Sequence, residues 1–109
     1  MKSNQLYYIR NGVDINVIDN KGSTPLHWAA YSGAYNAINF LITWGALINM
    51  CDKDTGVTAL HLASMQGNTR IVRKLLLKGI DRNITDFTGK TALDYAKEGN
   101  FKTIVTMIV

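Results

Sequence analysis

The sequence predicts an all-α fold, a solenoid of stacked helical units, because it repeats itself every 33 or 34 residues. A segment that begins Thr-x-Leu occurs at residues 24–27, and it returns at 58–61 and 91–94. Self-similarity at this period is typical of supersecondary units that stack on one another. Glycines before this segment and alanines after it keep the same period: Gly22, Gly56, Gly89, Ala29, Ala63 and Ala96.

The middle unit predicts two helices. The first begins after Thr58, whose hydroxyl can accept a hydrogen bond from an otherwise unpaired backbone N–H group. Leu60 and Ala63 follow at helical spacing, and Gly67 ends this helix because it tolerates left-handed dihedral angles. The second helix is predicted over residues 69–78. Its apolar stripe consists of Ile71, Val72, Leu75 and Leu76.

The first and third units predict the same pair of helices. Pro25 follows Thr24 at the first helical position, where its missing N–H group costs nothing. Gly33 ends the first helix, and Asn100 stands at the corresponding position of the third unit, since Asn also visits the left-handed region. Asp94 replaces the histidine of the other two units, which puts the expected Thr–His hydrogen bonding in doubt there. The second-helix stripes are Ile38, Leu41 and Ile42, and Ile104, Val105 and Ile108.

The period divides the 109 residues into one array within a single domain. The predicted units are a partial repeat over 1–18, repeats over 19–51 and 52–85, and a truncated C-terminal repeat over 86–109. The second repeat has one extra residue, which is expected to form a bulge in its loop; it is Asp54 or Thr55.

The C-terminal unit is expected to be the loosest part of the array. No following unit would cover its apolar side chains, and a terminal repeat without a polar outer face should fray. The side chains concerned are Phe101, Ile104 and Ile108.

Residues 22–33, Gly-Ser-Thr-Pro-Leu-His-Trp-Ala-Ala-Tyr-Ser-Gly, resemble the ankyrin-repeat family, and the resemblance extends over nearly the whole chain. It implies a helix-turn-helix in each unit, with hairpin-like loops that project toward a concave side. It also implies a protein-interaction module, non-catalytic by itself, that binds a partner protein or peptide through its concave groove and loop tips.

A finer resemblance connects residues 26–31 and 70–79 with the ankyrin regions of Asp-His-His-Cys (DHHC) palmitoyltransferases. It implies an alternative function, the regulatory or substrate-recruiting ankyrin domain of such a membrane-bound enzyme, at the cytosolic face of a membrane. The membrane would then be reached only through that parent protein.

Candidate partner-binding residues follow from the variable loop-tip and first-helix positions of the family. Four of them, Tyr31, Val57, Met65 and Phe87, are large and apolar at positions expected to face water, which is typical of interface anchors. Lysines on the loop tips favour a partner with acidic residues. The full predicted set is Lys21, Ser23, Tyr31, Ser32, Lys53, Val57, Met65, Gln66, Phe87 and Lys90.

The net charge of +4 is concentrated in the second half of the chain. Residues 1–54 carry four basic and four acidic groups, whereas 55–109 carry eight basic and four acidic groups. The densest part, residues 70–82, is interpreted as a solvated helix face with cations near its C-terminal end. Contact with an anionic membrane or with nucleic acid is the alternative, and nucleic acid is disfavoured because no aromatic residues interleave with the cations.

Catalysis, metal binding and cofactor binding are not expected. His27 and His61 occupy equivalent positions of adjacent units, roughly 8–10 Å apart, which is too far to share a zinc ion. Cys51 lies beside two aspartates that should raise the pKa of its thiol. A single cysteine is consistent with a cytoplasmic location. We expect a monomer without a small-molecule substrate, and no run approaches the ~20 apolar residues of a membrane span.

Overall fold

A computed structural model describes residues 14–109, and within this range it contains six helices and no strand. The all-α prediction is therefore confirmed for these residues. Each predicted full or C-terminal unit holds one pair of helices, whereas most of the predicted partial unit lies outside the described residues. The helices are α1 (Pro25–Ser32), α2 (Tyr35–Thr43), α3 (Ala59–Met65), α4 (Thr69–Leu77), α5 (Ala92–Glu98) and α6 (Lys102–Ile108).

The first helix of each pair begins with a capping box. The side chain of Thr24 accepts a hydrogen bond from the N–H group of His27, and the His27 ring accepts one in return from the N–H group of Thr24. In the third unit, Oδ2 of Asp94 accepts from the N–H group of Thr91 at 2.9 Å. The capping box is therefore kept in the third unit, with aspartate in place of histidine, which removes the doubt that the sequence raised about this cap.

The turn between paired helices uses left-handed dihedral angles, as predicted. The φ angles are +73° at Gly33, +69° at Gly67 and +60° at Asn100. Asn100 is the one described non-glycine residue with a positive φ angle. Its left-handed conformation could be predicted from the sequence because it depends only on the local turn.

Two rows of helices build the core. The inner row consists of α1, α3 and α5, and the outer row of α2, α4 and α6. Successive inner helices contact each other more extensively than successive outer helices do. Small residues permit this close approach, because they are buried where the inner helices meet: Ala29, Ala30, Ala63, Ser64 and Ala96.

The apolar side chains of α6 are covered, which corrects one expectation. Ile104 and Ile108 are buried, and the Phe101 ring is half-buried against Gly67. Arg82, from the preceding unit, donates a hydrogen bond from Nη1 to the Ile108 carbonyl oxygen at 2.7 Å. The end of α6 is thus held by both apolar packing and a cation, so its side chains are not left open.

Weaker hydrogen-exchange protection of residues 91–109 than of 58–78 stays a prediction. Equal protection of the two segments would contradict it.

The loops before the inner helices are tight turns of two sizes. The N–H group of Gly22 donates to the carbonyl of Asp19, three residues earlier, whereas that of Gly56 donates to Asp52, four residues earlier. The extra residue of the second unit therefore widens this turn, as the spacing predicts.

Candidate functional site

The loop turns lie side by side along one edge of the stack. The backbone N–H group of Lys53 donates to the carbonyl oxygen of Lys21 at 3.1 Å, and that of Phe87 donates to Thr55 at 2.9 Å. These hydrogen bonds connect the turn of each unit to the turn of the next. They fix the spacing of the side chains that the turns present.

Two buried histidines connect the inner helices α1 and α3 to the loop of the following unit. Nε2 of His27 lies 2.9 Å from the carbonyl oxygen of Val57, and Nε2 of His61 lies 3.0 Å from that of Lys90. Since Nδ1 of His27 accepts from the N–H group of Thr24, the proton of the neutral ring is on Nε2, which donates. Burial lowers the pKa of His27. These rings therefore have a structural role.

No group of three or more His, Cys, Asp or Glu side chains suitable for a metal ion occurs within residues 14–109. Cys51 is exposed, and its thiol donates to the carbonyl oxygen of Asn49 at 3.8 Å. Partial burial of the sulfur and the nearby Asp52 raise the pKa of the thiol. A raised pKa disfavours the thiolate, so this cysteine is not activated as a nucleophile.

Aspartates inside the loops orient aromatic side chains of the inner helices. Nε1 of Trp28 donates to Oδ2 of Asp19 at 2.7 Å, and the hydroxyl of Tyr95 donates to Oδ2 of Asp86. Leu62 occupies the same position in the middle unit and cannot donate. Each aromatic side chain is thereby held against the loop of its own unit.

Hydrogen bonds keep these two aspartates ionised. Burial raises the pKa of Asp86, but this effect is outweighed by hydrogen bonds from Thr88, Tyr95 and the Lys90 N–H group, which leave the pKa well below its usual range. Burial likewise raises the pKa of Asp19 and is outweighed by hydrogen bonds from the Ser23 N–H group and from Trp28 and Lys21. The loops therefore present fixed negative charges.

Two adjoining cavities, of about 300 and 480 Å³, open between the loop turns and the inner helices. Lys21, Asp52 and Leu62 line both cavities, so the two form one continuous depression. We call this depression the groove. Tyr31 lines its first half, and Phe87 lines its second half.

Six of the ten predicted residues line the groove. Lys21, Ser23 and Tyr31 line the first cavity. The second cavity is lined by Lys21 and three further predicted residues: Val57, Met65 and Phe87. The structure thus brings together three of the four apolar side chains in one half of the groove, with Tyr31 in the other.

The expectation that the Val57 side chain faces water is wrong. Only 5% of Val57 is exposed, and its carbonyl oxygen accepts a hydrogen bond from Nε2 of His27. Ser23 is buried as well, and its N–H group donates to Asp19. Both residues contribute to the wall of the groove and offer little surface.

The remaining four predicted residues lie around the groove and not in either cavity. Lys53 packs against Gly22, where an added Cβ would meet Lys53 Cγ at 2.6 Å. Lys90 is paired with Glu98 at 2.5 Å, and its ammonium lies 5.3 Å from the centroid of the Tyr95 ring. Ser32 and Gln66 are exposed at the ends of the inner helices.

Sequence reasoning missed the residues that shape the groove. Trp28, Leu62 and Tyr95 line it. Each is the fourth residue after the capping threonine of its unit. This shared position in the repeat could have identified them from the sequence. Their hydrogen-bond partners, Asp19 and Asp86, also occupy equivalent positions of the repeat. The sequence does not predict these contacts, because each aspartate lies nine residues before its aromatic partner.

Three stacked helix-turn-helix pairs with a groove along their loops define a helical repeat solenoid, a class of protein that binds along an extended surface. Family models described as ankyrin repeats match residues 6–42 and 45–109. The chain therefore belongs to the ankyrin-repeat family. Ankyrin repeats are protein-interaction modules and are non-catalytic in themselves.

Curated relatives cover several kinds of protein. The chain is 34% identical over 100 residues to BRCA1-associated RING domain protein 1 of Caenorhabditis elegans, a match that covers 89% of this chain and 14% of the relative. It is 38% identical over 76 residues to human palmitoyltransferase ZDHHC17, covering 69% of this chain and 12% of the relative. It is 37% identical over 87 residues to human ankyrin repeat and SOCS box protein 3, covering 78% and 17% respectively.

The chain thus spans less than a fifth of the length of these three relatives. These relatives are proteins of different kinds. Within residues 14–109, none of the helices has the length and apolar character needed to cross a membrane.

Proposed function

We propose that this chain binds a partner protein or peptide through the groove and the adjoining loop tips, and that it catalyses no reaction by itself. The observation that carries the proposal is the continuity of the groove, in which exposed aromatic side chains stand at both ends. Tyr31 is 54% exposed and Phe87 is 68% exposed. Aromatic side chains of this kind are enriched among residues that dominate binding energy.

The aromatic side chains are held in place before any partner arrives. Tyr31 packs edge-on against Trp28, with ring centroids 6.1 Å apart, and Trp28 is fixed by Asp19. The Phe87 ring lies over Gly56, where an added Cβ would meet ring carbons at 2.6–2.7 Å. Fixed side chains lose little conformational entropy on association, which supports affinity.

The arrangement of the lysines indicates where a partner would carry negative charge. Lys90 is paired with Glu98, whereas Lys21 lies at the junction of the two cavities and Lys53 lies on the neighbouring turn. We therefore propose a partner segment that places an apolar side chain in the groove and an acidic side chain beside Lys21. The chain would act as a monomer in the cytoplasm.

A pull-down with the chain, followed by peptide mapping of the captured partner, provides the ligand for the test. Tyr31→Ala and Met65→Ala should each weaken binding by ~1–3 kcal/mol if the side chain is an anchor. Arg73→Ala, on the outer row, is the control and should leave the affinity nearly unchanged. Loss of binding in Arg73→Ala with none in Tyr31→Ala would overturn the proposal.

A second candidate is the regulatory or substrate-recruiting ankyrin domain of a membrane-bound DHHC palmitoyltransferase. The 38% identity to the ankyrin-containing palmitoyltransferase supports it, although relatives with other activities match to a similar degree. The full gene sequence tests this candidate. A downstream Asp-His-His-Cys segment flanked by apolar segments of ~20 residues supports it, and a complete reading frame without one rejects it.

A further inference from the structure

The outer row presents an exposed face opposite the groove. On α2 and α4, three exposed positions recur at the 34-residue spacing, namely 36 and 70, 43 and 77, and 44 and 78. Trp44 is 68% exposed and Leu77 is 75% exposed. We call this surface the outer face; its members are Asn36, Phe40, Thr43, Trp44, Arg70, Arg73, Leu77 and Lys78.

The outer face carries cations and no acidic group. None of the eight Asp and Glu residues lies in α2, α4 or α6, since all of them are in loops or in α5. Arg70, Arg73 and Lys74 lie in α4, and Lys78 follows its last turn. The described acidic residues thus lie in loops or on α5, whereas the exposed residues of α2 and α4 include cations and no carboxylate.

The positions of α2 and α4 bring the apolar and the cationic side chains together. The guanidinium carbon of Arg70 lies 3.6 Å from the centroid of the Tyr35 ring, and Nζ of Lys74 lies 5.9 Å from it, so α4 runs alongside α2. Trp44 and Lys78 are the C-cap residues of these two helices, and neighbouring helix axes lie about 8–10 Å apart.

The aromatic side chains of the outer face also contact each other. The centroids of the Phe40 and Trp44 rings are 6.2 Å apart. By the 34-residue repeat, Phe40 and Trp44 correspond to Lys74 and Lys78 of the next unit. Equivalent positions of the two outer helices thus hold aromatic side chains on α2 and ammonium groups on α4 or at its C-cap.

We propose that the outer face binds the surface of an anionic lipid bilayer. Trp44, Phe40 and Leu77 would enter the headgroup region, where amphipathic aromatic rings are favourable, and the α4 cations would pair with anionic headgroups. Long basic side chains can keep their charge at this level while their stems cover apolar surface. A bilayer is favoured over nucleic acid or an acidic protein because its headgroup region accommodates apolar and cationic side chains together. The outer face presents both kinds of side chain on two neighbouring helices.

This inference is independent of the groove proposal, because the two surfaces lie on different rows of helices. Membrane contact through the outer face would leave the groove turned toward water. Either proposal can therefore fail while the other stands.

Co-sedimentation of the full chain with lipid vesicles tests the electrostatic part. We expect binding to phosphatidylcholine vesicles that contain about a third phosphatidylserine, and none to phosphatidylcholine alone. Lys78→Gln should lower the partition coefficient by about fivefold. Lys97→Gln on α5 removes the same charge from the inner row and should stay within about twofold of the unaltered chain. Equal losses in the two variants would overturn the proposal, as would absence of binding to the anionic vesicles.

Tryptophan fluorescence tests the apolar part, since the chain has only two tryptophans. Trp28→Phe leaves Trp44 as the reporter, and its emission should shift to the blue and be quenched by lipids brominated on the acyl chains. Trp44→Phe leaves Trp28 in the groove, where no quenching is expected. Thermal melting followed by circular dichroism checks that each variant is folded.

If Trp28→Phe lowers stability, the difference in quenching between the unaltered chain and Trp44→Phe gives the same information. Unquenched Trp44 on bound protein would overturn the proposal. So would equal binding to heparin or duplex DNA that is unaffected by Trp44→Ala, because the outer face would then recognise polyanions by charge alone.

Discussion

The His27 ring donates from Nε2 to the carbonyl oxygen of Val57 at 2.9 Å, across the boundary between two repeats. The same ring accepts from the Thr24 N–H group at 3.1 Å. One side chain therefore stabilises the start of its own helix and also positions the loop of the next unit. Asp94 retains only the first of these functions.

Substitution of His27 should separate the two functions. An asparagine at this position would present a side-chain oxygen to the Thr24 N–H group but could not reach Val57, so His27→Asn should cost about 1–2 kcal/mol in the free energy of unfolding. His27→Ala should cost about 2–4 kcal/mol, because it also leaves the buried Thr24 N–H group unpaired. Urea unfolding measures both. Equal losses would show that the cap contributes nothing.

Stability should fall as the solution is acidified below pH 6.5. Burial lowers the pKa of His27 from its ordinary value of 6.5, so the unfolded chain binds a proton in a range where the folded chain does not. Between pH 6.5 and the lower pKa of the folded state, each step toward acid therefore favours unfolding. Urea midpoints from about pH 7.5 to about pH 5 would show this slope, above the range in which carboxylates titrate. His27→Asn should flatten it, and an unchanged slope would contradict the assignment.

Ser64→Ala should stabilise the protein. Among the described residues, the Oγ atom of Ser64 is buried without a hydrogen-bond partner, whereas the equivalent position of the preceding unit holds Ala30. Removal of an unpaired buried hydroxyl should raise the free energy of unfolding by about 1 kcal/mol. The reverse change, Ala30→Ser, should lower it by a similar amount. Thermal or urea unfolding that shows the same sign for both variants would argue against this account.

Gly56→Ala should affect the groove, and Gly89→Ala should not. Both glycines have positive φ angles, +77° and +84°, so an added Cβ strains the backbone at each by about 1 kcal/mol. At Gly56 the Cβ would also meet the Phe87 ring at 2.6 Å, whereas at Gly89 it meets nothing within 4 Å. Only Gly56→Ala should therefore lower both stability and affinity for the partner. Equal affinities of the two variants for the partner would show that the position of the Phe87 ring does not affect binding.

Local constraints made much of the fold predictable. The capping threonines and the left-handed Asn100 depend on dihedral angles and hydrogen bonds within one turn of chain. Residue types in that turn are enough to predict them. The burial of Val57 and Ile108 depends on packing between units and was predicted wrongly. Ser23 and Val57 occupy equivalent positions of adjacent units and both are buried, so a residue at this loop position can be covered whether or not its turn is widened.

The groove was predictable only in part for the same reason. Tyr31, Met65 and Phe87 were found because large apolar residues at loop and helix-end positions are unusual. The hydrogen bond between Trp28 and Asp19 joins residues nine apart through a turn whose geometry no simple period reveals. The ion pair between Lys90 and Glu98 joins residues eight apart and was equally hidden.

The hydrogen bonds between successive loops have an evolutionary consequence. Lys53 donates to Lys21 and Phe87 donates to Thr55, each across 32 residues and each through backbone atoms alone. Because these donors and acceptors belong to the main chain, almost any side chain can occupy the turns without loss of the connection. Duplication or deletion of a block one period long would join edges that already match, which leaves the loop side chains free to diverge toward new ligands.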